Sequence, residues 1–212
     1  MPTSEAILSG LARVANDFMP VSVIWHAYFA ALAVILAAGV RPSRRLAGVA
    51  LALPLLSVSV LAWYISNPFN GLLFAAAAIA LGALSLMSSE QRVRTAPVAV
   101  LVPGIVLAAF GWVYPHFLEN ASAFTYLYAA PVGAVPCPTL SIVIGFAMIM
   151  NGLSSRPAAF LLGGIGLFYG LFGVFRLGVA IDWTLLAGSL GVMAYAIAAR
   201  RKLGAYLPAS PA

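Results

Sequence analysis

Seven segments of mostly apolar residues follow one another along the chain, and short polar gaps separate them. A helix needs about 17–25 apolar residues to cross the hydrocarbon core of a bilayer, and each segment comes near this length. We place the spans at residues 20–40, 46–66, 70–88, 97–115, 138–154, 157–176 and 180–199. The pattern predicts an all-α, polytopic integral membrane helix bundle with seven transmembrane helices.

The fifth and sixth predicted spans leave room for a second interpretation. Both are short, and the turn SSRP that joins them, residues 154–157, is tight. Six spans with one re-entrant or fused segment are therefore the alternative to seven.

The first 19 residues follow a different pattern from the spans. Their apolar positions recur at helical intervals, and the segment contains Glu5 and Asp17. A secretory signal would have a basic start and a continuous apolar stretch. We therefore expect residues 1–19 to form an amphipathic segment on the membrane surface. Residues 20–202 then form a single transmembrane domain, and residues 203–212 a short cytoplasmic tail.

Composition supports a membrane protein and excludes a sizeable soluble domain. Hydrophobic residues make up 63% of the chain and charged residues 8%, against about 25% charged residues in soluble domains. The lipid bilayer is thus the expected partner. The net charge of +6 does not predict nucleic-acid binding, because most basic residues occupy short gaps between apolar segments. The single cysteine excludes an intrachain disulfide and a Cys-x-x-Cys metal site.

Basic residues occupy alternate gaps, which predicts the orientation of the chain. Cytoplasmic loops of membrane proteins carry an excess of Lys and Arg. One set of gaps, together with the C-terminal tail, carries Arg41, Arg44, Arg45, Arg92, Arg94, Arg156, Arg200, Arg201 and Lys202. The other side carries only Arg13 and Arg176. With seven spans, the N-terminus lies outside and the C-terminus is cytoplasmic.

Polar and ionisable residues gather at the predicted outer face. Such residues are costly inside membranes and often mark function. His26 lies in the first span, His116 closes the fourth, and Cys137 precedes the fifth. The other candidates at this face are Asp17, Asn67, Asn70, Glu119, Thr139, Arg176 and Asp182. Structural roles compete with functional ones: the histidines can bond to nearby carbonyls, Asp182 can cap the last helix, and Arg176 can snorkel outward or pair with Asp182.

Cys137 stands between two prolines, in PVGAVPCPTLSIVIG at residues 131–145. Pro138 suits the first position of a helix, which would place Cys137 at the N-cap, where the helix dipole favours a thiolate. A thiolate is a soft ligand for copper, zinc or mercury ions, and His26 and His116 are candidate ligands for the same ion. In the alternative interpretation, Pro-x-Pro makes a rigid entry to the helix and cysteine is simply small enough to fit.

The stretch GAVPCPTLSIVIGF, residues 133–146, resembles an uncharacterised family of small bacterial multi-span membrane proteins, a domain of unknown function. That family carries a Gly-x-Pro-Cys-Pro-Thr element at the start of a late transmembrane helix. Here one extra residue separates Gly133 from Pro136. The stretch SNPFNGLLFAAA, residues 66–77, also resembles the family's Asn-Pro element between two earlier spans. The resemblance implies a bacterial cytoplasmic (inner) membrane location and no particular activity.

Three functions are compatible with these observations. The first is transport or binding of a small solute or soft metal ion through an outward-facing Cys/His site. The second is a haem- or redox-associated membrane protein, in which the two histidines ligate haem iron. The third is a non-catalytic accessory subunit that pairs with a copy of itself or a membrane partner through glycine-rich helix faces. We find no Gly-x-Ser-x-Gly, P-loop or His-Glu-x-x-His motif that would indicate an enzyme.

Overall fold

A computed structural model describes residues 3–119 and 122–204. The regular structure in this part of the chain is helical, so the predicted all-α fold is confirmed. Its helices are α1 (Ser4–Asp17), α2 (Met19–Ala37), α3 (Arg44–Tyr64), α4 (Pro68–Leu86), α5 (Val98–Val113), α6 (Tyr126–Ala129), α7 (Pro136–Ile149), α8 (Arg156–Leu171) and α9 (Trp183–Gly204). Short 3₁₀ turns cover Asn151–Ser154 and Ala180–Asp182, and a π-helical segment covers Phe172–Arg176. Most of the predicted tail, residues 205–212, lies outside the described residues.

Several helices are long and apolar enough to cross a membrane. Among the described residues there are five of these: Met19–Ala37, Arg44–Tyr64, Pro68–Leu86, Arg156–Arg176 and Ala180–Ala198. Two apolar helices are shorter, α5 with 16 residues and α7 with 14. All seven overlap the segments predicted from the apolar pattern. At 1.5 Å per residue α7 is about 21 Å long, which is less than the hydrocarbon thickness of about 30 Å.

Helix α7 forms the centre of the bundle. All its residues from Pro136 to Met148 are buried, and it contacts α3, α5, α8 and α9. Its two hydroxyl residues satisfy their hydrogen bonds within the segment: Thr139 Oγ1 donates to the Val135 carbonyl and Ser141 Oγ to the Cys137 carbonyl. A helix with no exposed face can therefore lie at the core without unpaired hydroxyls.

Glycines bring neighbouring helices into backbone contact. A Cβ on Gly170 of α8 would lie 3.0 Å from the Leu186 backbone. That contact is made to α9 of the same chain. A close backbone approach also joins α5 to α7, where a Cβ on Gly145 would lie 2.5 Å from the Ala108 amide nitrogen. Small residues at such positions allow helices to pack closely in membranes.

A buried irregular segment, residues 130–135, leads into α7. Irregular backbone is tolerated at membrane depth only where protein satisfies its polar groups. Here the Gly133 N–H donates to Thr139 Oγ1 at 2.8 Å, and the Gly133 carbonyl accepts from Ser57 Oγ at 2.7 Å. Gly133 has φ +74°, and a Cβ there would lie 2.0 Å from Trp25. The glycine and the threonine of the Gly…Pro-Cys-Pro-Thr stretch are thus structural residues.

The start of α7 differs from the expectation. The helix begins at Pro136 and not at Pro138, and Val135 is the N-cap. Pro136 therefore takes the first helical position, where its missing N–H is harmless. This places Cys137 inside the first turn of the helix, not at its cap.

The loops between the helices lie at two opposite ends of the bundle. Loops 38–43 and 87–97 meet in an isolated bridge between Ser43 and Arg92, and Arg45 in the first turn of α3 forms an ion pair with Glu90 of the second loop. We call this the basic end, because it carries the arginines of both loops. The N-terminus of α4 and the C-termini of α5 and α8 lie at the opposite end, which we call the cleft end.

Candidate functional site

A cleft of about 370 Å³ opens at the cleft end, between α1, α4, α7 and the α8 region. Its walls are largely apolar, but polar side chains from different elements reach it. The residues that line it are Ile7, Leu11, Asn67, Phe69, Asn70, Pro136, Cys137, Phe168, Tyr169, Phe172, Gly173, Arg176 and Leu177. An apolar cavity with a few convergent polar groups is the usual form of a small-molecule site.

Helix α1 forms the roof of the cleft. Ile7 and Leu11, one helical turn apart, supply its apolar lining. At the start of α1 the Ser4 hydroxyl donates to the Arg176 carbonyl at 2.9 Å, and the Arg176 guanidinium donates to Ser4 Oγ. At its other end Asn16 Nδ2 donates to the Phe117 carbonyl at 3.0 Å. The roof is therefore attached to the bundle on both sides of the cleft.

Asn70 and Tyr169 provide a fixed polar group in the cleft. The Tyr169 hydroxyl donates to Asn70 Oδ1 at 2.7 Å, which joins α8 to the first turn of α4. Asn67 Oδ1 accepts from the Asn70 backbone N–H at 3.1 Å and caps the same turn. With its oxygen bound to Tyr169, the Asn70 amide has its NH₂ group available to a molecule in the cleft.

Cys137 connects the cleft to a buried polar pair. The Tyr114 hydroxyl donates to Asp182 Oδ1 at 2.7 Å, and both side chains are buried. The Cys137 thiol lies close enough to interact with both of them. Thiol, phenol and carboxyl groups can each hold and release a proton. The three side chains thus form a buried polar cluster next to the cleft.

The π-helical segment Phe172–Arg176 shapes this part of the site. A Cβ on Gly173 would lie 1.9 Å from Asp182 Oδ2, so only a glycine leaves room for the carboxylate. The segment ends at Arg176, which lines the cleft. Single π-helical turns within α-helices occur frequently at functional sites.

The two histidines lie apart from the cleft lining. His26 is buried, with Nδ1 2.8 Å from the Ser22 carbonyl and Nε2 2.9 Å from the Trp112 carbonyl. Both ring nitrogens therefore face protein carbonyl oxygens. His116 follows α5, and its ring packs against Phe117. Partial burial lowers the pKa of His116, which favours the neutral ring.

The predicted metal ligands do not come together. In residues 3–119 and 122–204, no group of three or more His, Cys, Asp or Glu side chains is placed to hold a metal ion. His26 is held between the Ser22 carbonyl of α2 and the Trp112 carbonyl of α5, whereas Cys137 faces Asp182 and the cleft. The geometry therefore does not assemble Cys137, His26 and His116 around one copper, zinc or mercury ion.

The other predicted residues fall into two groups. Asn67, Asn70 and Arg176 line the cleft, and Asp182 lies beneath it. Asp17 forms an exposed ion pair with Arg13 at 3.4 Å. Glu119 is exposed, with its backbone N–H bound to Asn16 Oδ1, and Thr139 holds the buried segment before α7.

Tyr114 and Tyr169 are the site residues that the sequence did not indicate. Tyr114, which follows α5, is buried against Asp182. A buried tyrosine usually finds a hydrogen-bond partner for its hydroxyl. The isolated acid at position 182 was therefore the one available signal that a tyrosine would turn inward.

Comparisons with protein-family models, with curated proteins and with solved structures found no match to this chain.

Proposed function

We propose that the chain is a seven-span protein of the bacterial inner membrane, with its N-terminus outside and its C-terminus in the cytoplasm. The two shorter helices, α5 and α7, count as spans because each runs between the basic end and the cleft end. The arginines of loops 38–43 and 87–97 favour a cytoplasmic position for the basic end. The resemblance of residues 133–146 to a bacterial family supports the location.

The same proposal assigns the protein a role in binding and transporting a small solute at the outward-facing cleft. The observation that carries it is the convergence of Asn70, Tyr169, Arg176 and Cys137 in a largely apolar cavity of about 370 Å³.

The lining indicates the kind of solute. Apolar walls from α1, α4 and the α8 region suit a small apolar body, and an amide, a phenol and a guanidinium group suit a polar head. Arg176 already bonds to Ser4, so a solute with an acidic or carbonyl group would share that guanidinium with the roof. A small amphiphilic organic solute therefore fits this cleft better than a bare metal ion.

Transport, as opposed to binding alone, is favoured by Asp182. Ionisable residues within membrane-spanning segments are rare and often belong to ion or proton pathways. Asp182 lies at the start of one apolar span and is linked to the cleft through Cys137. Proton binding at this group could be coupled to movement of the solute.

Because Cys137 is the single cysteine of the chain, its alkylation tests solute binding without the introduction of another labelling site. Purified protein in lipid nanodiscs is treated with N-ethylmaleimide, and alkylation of Cys137 is followed by mass spectrometry in the presence of different solutes. We expect amphiphilic organic solutes to slow alkylation, because they fill the cleft in front of the thiol. Copper(I), zinc and mercuric ions are included in the same series.

Two variants distinguish the loss of solute binding from a change in the reactivity of the Cys137 thiol. Asn70→Leu combined with Tyr169→Phe should abolish protection while leaving the alkylation rate without solute close to that of the unmodified protein. Tyr195→Phe, which removes a hydroxyl bonded to Asn151 away from the cleft, should leave protection unchanged. Protection by soft metal ions alone, or equal protection in all variants, would contradict a solute site.

A further inference from the structure

A second cavity, of about 460 Å³, runs along the side of the bundle between α2 and the α5–α7 pair. We call it the lateral groove. Its walls are almost entirely apolar and include Leu36 of α2, Ile105 and Ala109 of α5, and Phe146 and Ile149 of α7. It is separate from the cleft, and the inference drawn from it does not depend on the proposed solute site.

The groove exists because α2 is attached to the bundle mainly near the cleft end. There His26 Nε2 meets the Trp112 carbonyl, Trp25 Nε1 donates to Ser57 Oγ, and the ring of Phe29 packs on that of Phe146. Only 17% of the α2 span is buried, against 56% of the α3 span. The half of α2 near the basic end thus leaves an opening beside α5.

The dimensions of the groove correspond to one lipid leaflet. Along α5 it extends from Leu101 to Trp112, a distance of about 16 Å at 1.5 Å per residue. Half of the hydrocarbon core measures about 15 Å. An acyl chain extended along α5 matches this length.

The mouth of the groove at the basic end carries positive charge. Arg41 and Arg94 both line it. The Arg41 side chain is held there by a 2.6 Å hydrogen bond from Nη1 to the Leu36 carbonyl. Glu90, the acid of the adjoining loop, pairs with Arg45 and not with these two arginines. Guanidinium groups bind phosphate oxygens strongly, often through two parallel hydrogen bonds.

From these observations we propose that the lateral groove is a binding site for an anionic phospholipid. One acyl chain lies in the groove toward Trp112, and the headgroup phosphate contacts Arg94 and Arg41. Basic residues at membrane interfaces recognise anionic lipids in this way. The occupant is a lipid of the leaflet at the basic end, and neither free phosphate nor a second copy of the chain satisfies both the apolar groove and its charged mouth.

Native mass spectrometry of the detergent-solubilised protein with added phosphatidylglycerol or phosphatidylcholine tests the site. We expect tighter binding of phosphatidylglycerol. Arg94→Gln and Arg41→Gln should each weaken it about fivefold, since each basic residue contributes on that scale to anionic lipid binding. Arg156→Gln removes a charge at the same end outside the groove and should leave binding unchanged. Inorganic phosphate at millimolar concentration should not compete.

Two bulky substitutions on α5 test the position of the acyl chain. Ala109→Trp fills the groove and should abolish retention of both lipids, whereas Val106→Trp, on an exposed position outside the lining, should retain them. Circular dichroism and thermal melting verify that both variants are folded. Equal binding of the two lipids in every variant would overturn the site. A change of oligomeric state in Ala109→Trp, without loss of lipid, would assign the groove to a second copy instead.

Discussion

The Tyr114 hydroxyl donates a 2.7 Å hydrogen bond to Asp182 and so joins the C-terminal end of α5 to the start of α9. Both residues are buried, with Tyr114 0% and Asp182 1% exposed. Bonds of this kind between distant parts of a chain hold the cleft end together.

Removing this donor should destabilise the protein. Tyr114→Phe leaves the Asp182 carboxyl buried without its phenol partner, and loss of a partner for a buried polar group costs about 1–3 kcal/mol. We expect a lower thermal denaturation midpoint in detergent. Tyr126→Phe is the control, because the Tyr126 hydroxyl makes only a long 3.4 Å bond to the Leu118 carbonyl. Similar melting of the two variants would show that the Tyr114 bond contributes little.

Gly173→Ala should perturb the site directly. The added Cβ would lie 1.9 Å from Asp182 Oδ2, and overpacking of this kind typically costs about 1–3 kcal/mol. Gly164→Ala, in the same helical region but with open space around the added Cβ, should be neutral or stabilise by up to about 1 kcal/mol. The thermal melting midpoints of the two variants are compared. Equal midpoints would mean that Asp182 moves aside without loss of unfolding free energy.

Thr139 should be required for its hydroxyl and not for its shape. Thr139→Val leaves the buried Gly133 N–H unpaired and should cost about 1–3 kcal/mol of unfolding free energy. Thr139→Ser retains the hydroxyl, so it should recover most of that loss. Denaturation in sodium dodecyl sulfate measures the unfolding free energy of both variants. If serine were no better than valine, the Gly133–Thr139 bond would not be the stabilising contact.

Release of the roof should expose Cys137. Ser4→Ala removes the bonds that the Ser4 hydroxyl makes with Arg176, so we expect maleimide to alkylate Cys137 several-fold faster. Ser9→Ala removes a hydroxyl that bonds only within α1 and should not change the rate. An unchanged rate in Ser4→Ala would mean that α1 does not control access to the cleft.

His116 should make stability fall in mild acid. Burial lowers its pKa in the folded protein below the ordinary value, which is about 6.5. As the pH falls through that value, the unfolded chain binds the proton first, so folding becomes less favourable. At higher pH both states are neutral and the effect disappears. The melting midpoint of His116→Gln should therefore fall less than that of the unmodified protein between pH 8 and pH 5.

The positions of the helices could be predicted because each long apolar segment has only one way to satisfy its backbone in a bilayer. The residues at which the helices begin and end were harder to predict. The sequence VPCP allows a helix start at either proline, and the choice of Pro136 depends on the buried segment before it and on the Thr139 hydroxyl. Those contacts involve Trp25 and Ser57, far away in the sequence.

The candidate site was predicted only in part, for the same reason. The pattern placed Asn70, Cys137, Arg176 and Asp182 at one end of the bundle, and the structure places all four at the cleft or beneath it. Which side chains touch depends on how each helix is rotated about its axis. A mostly apolar helix gives little indication of that rotation, so Tyr114 could not be paired with Asp182 in advance.

The central position of α7 has a consequence for biogenesis. The ribosome makes α7 after α3 and α5, but before α8 and α9, although it packs against all four. It is also shorter than the hydrocarbon core is thick and enters it through an irregular segment. Such a short helix inserts poorly into the bilayer on its own. We therefore expect its final insertion to follow the synthesis of α8 and α9. Truncation before α9 should therefore leave a chain that is retained by the insertion machinery or degraded by membrane proteases.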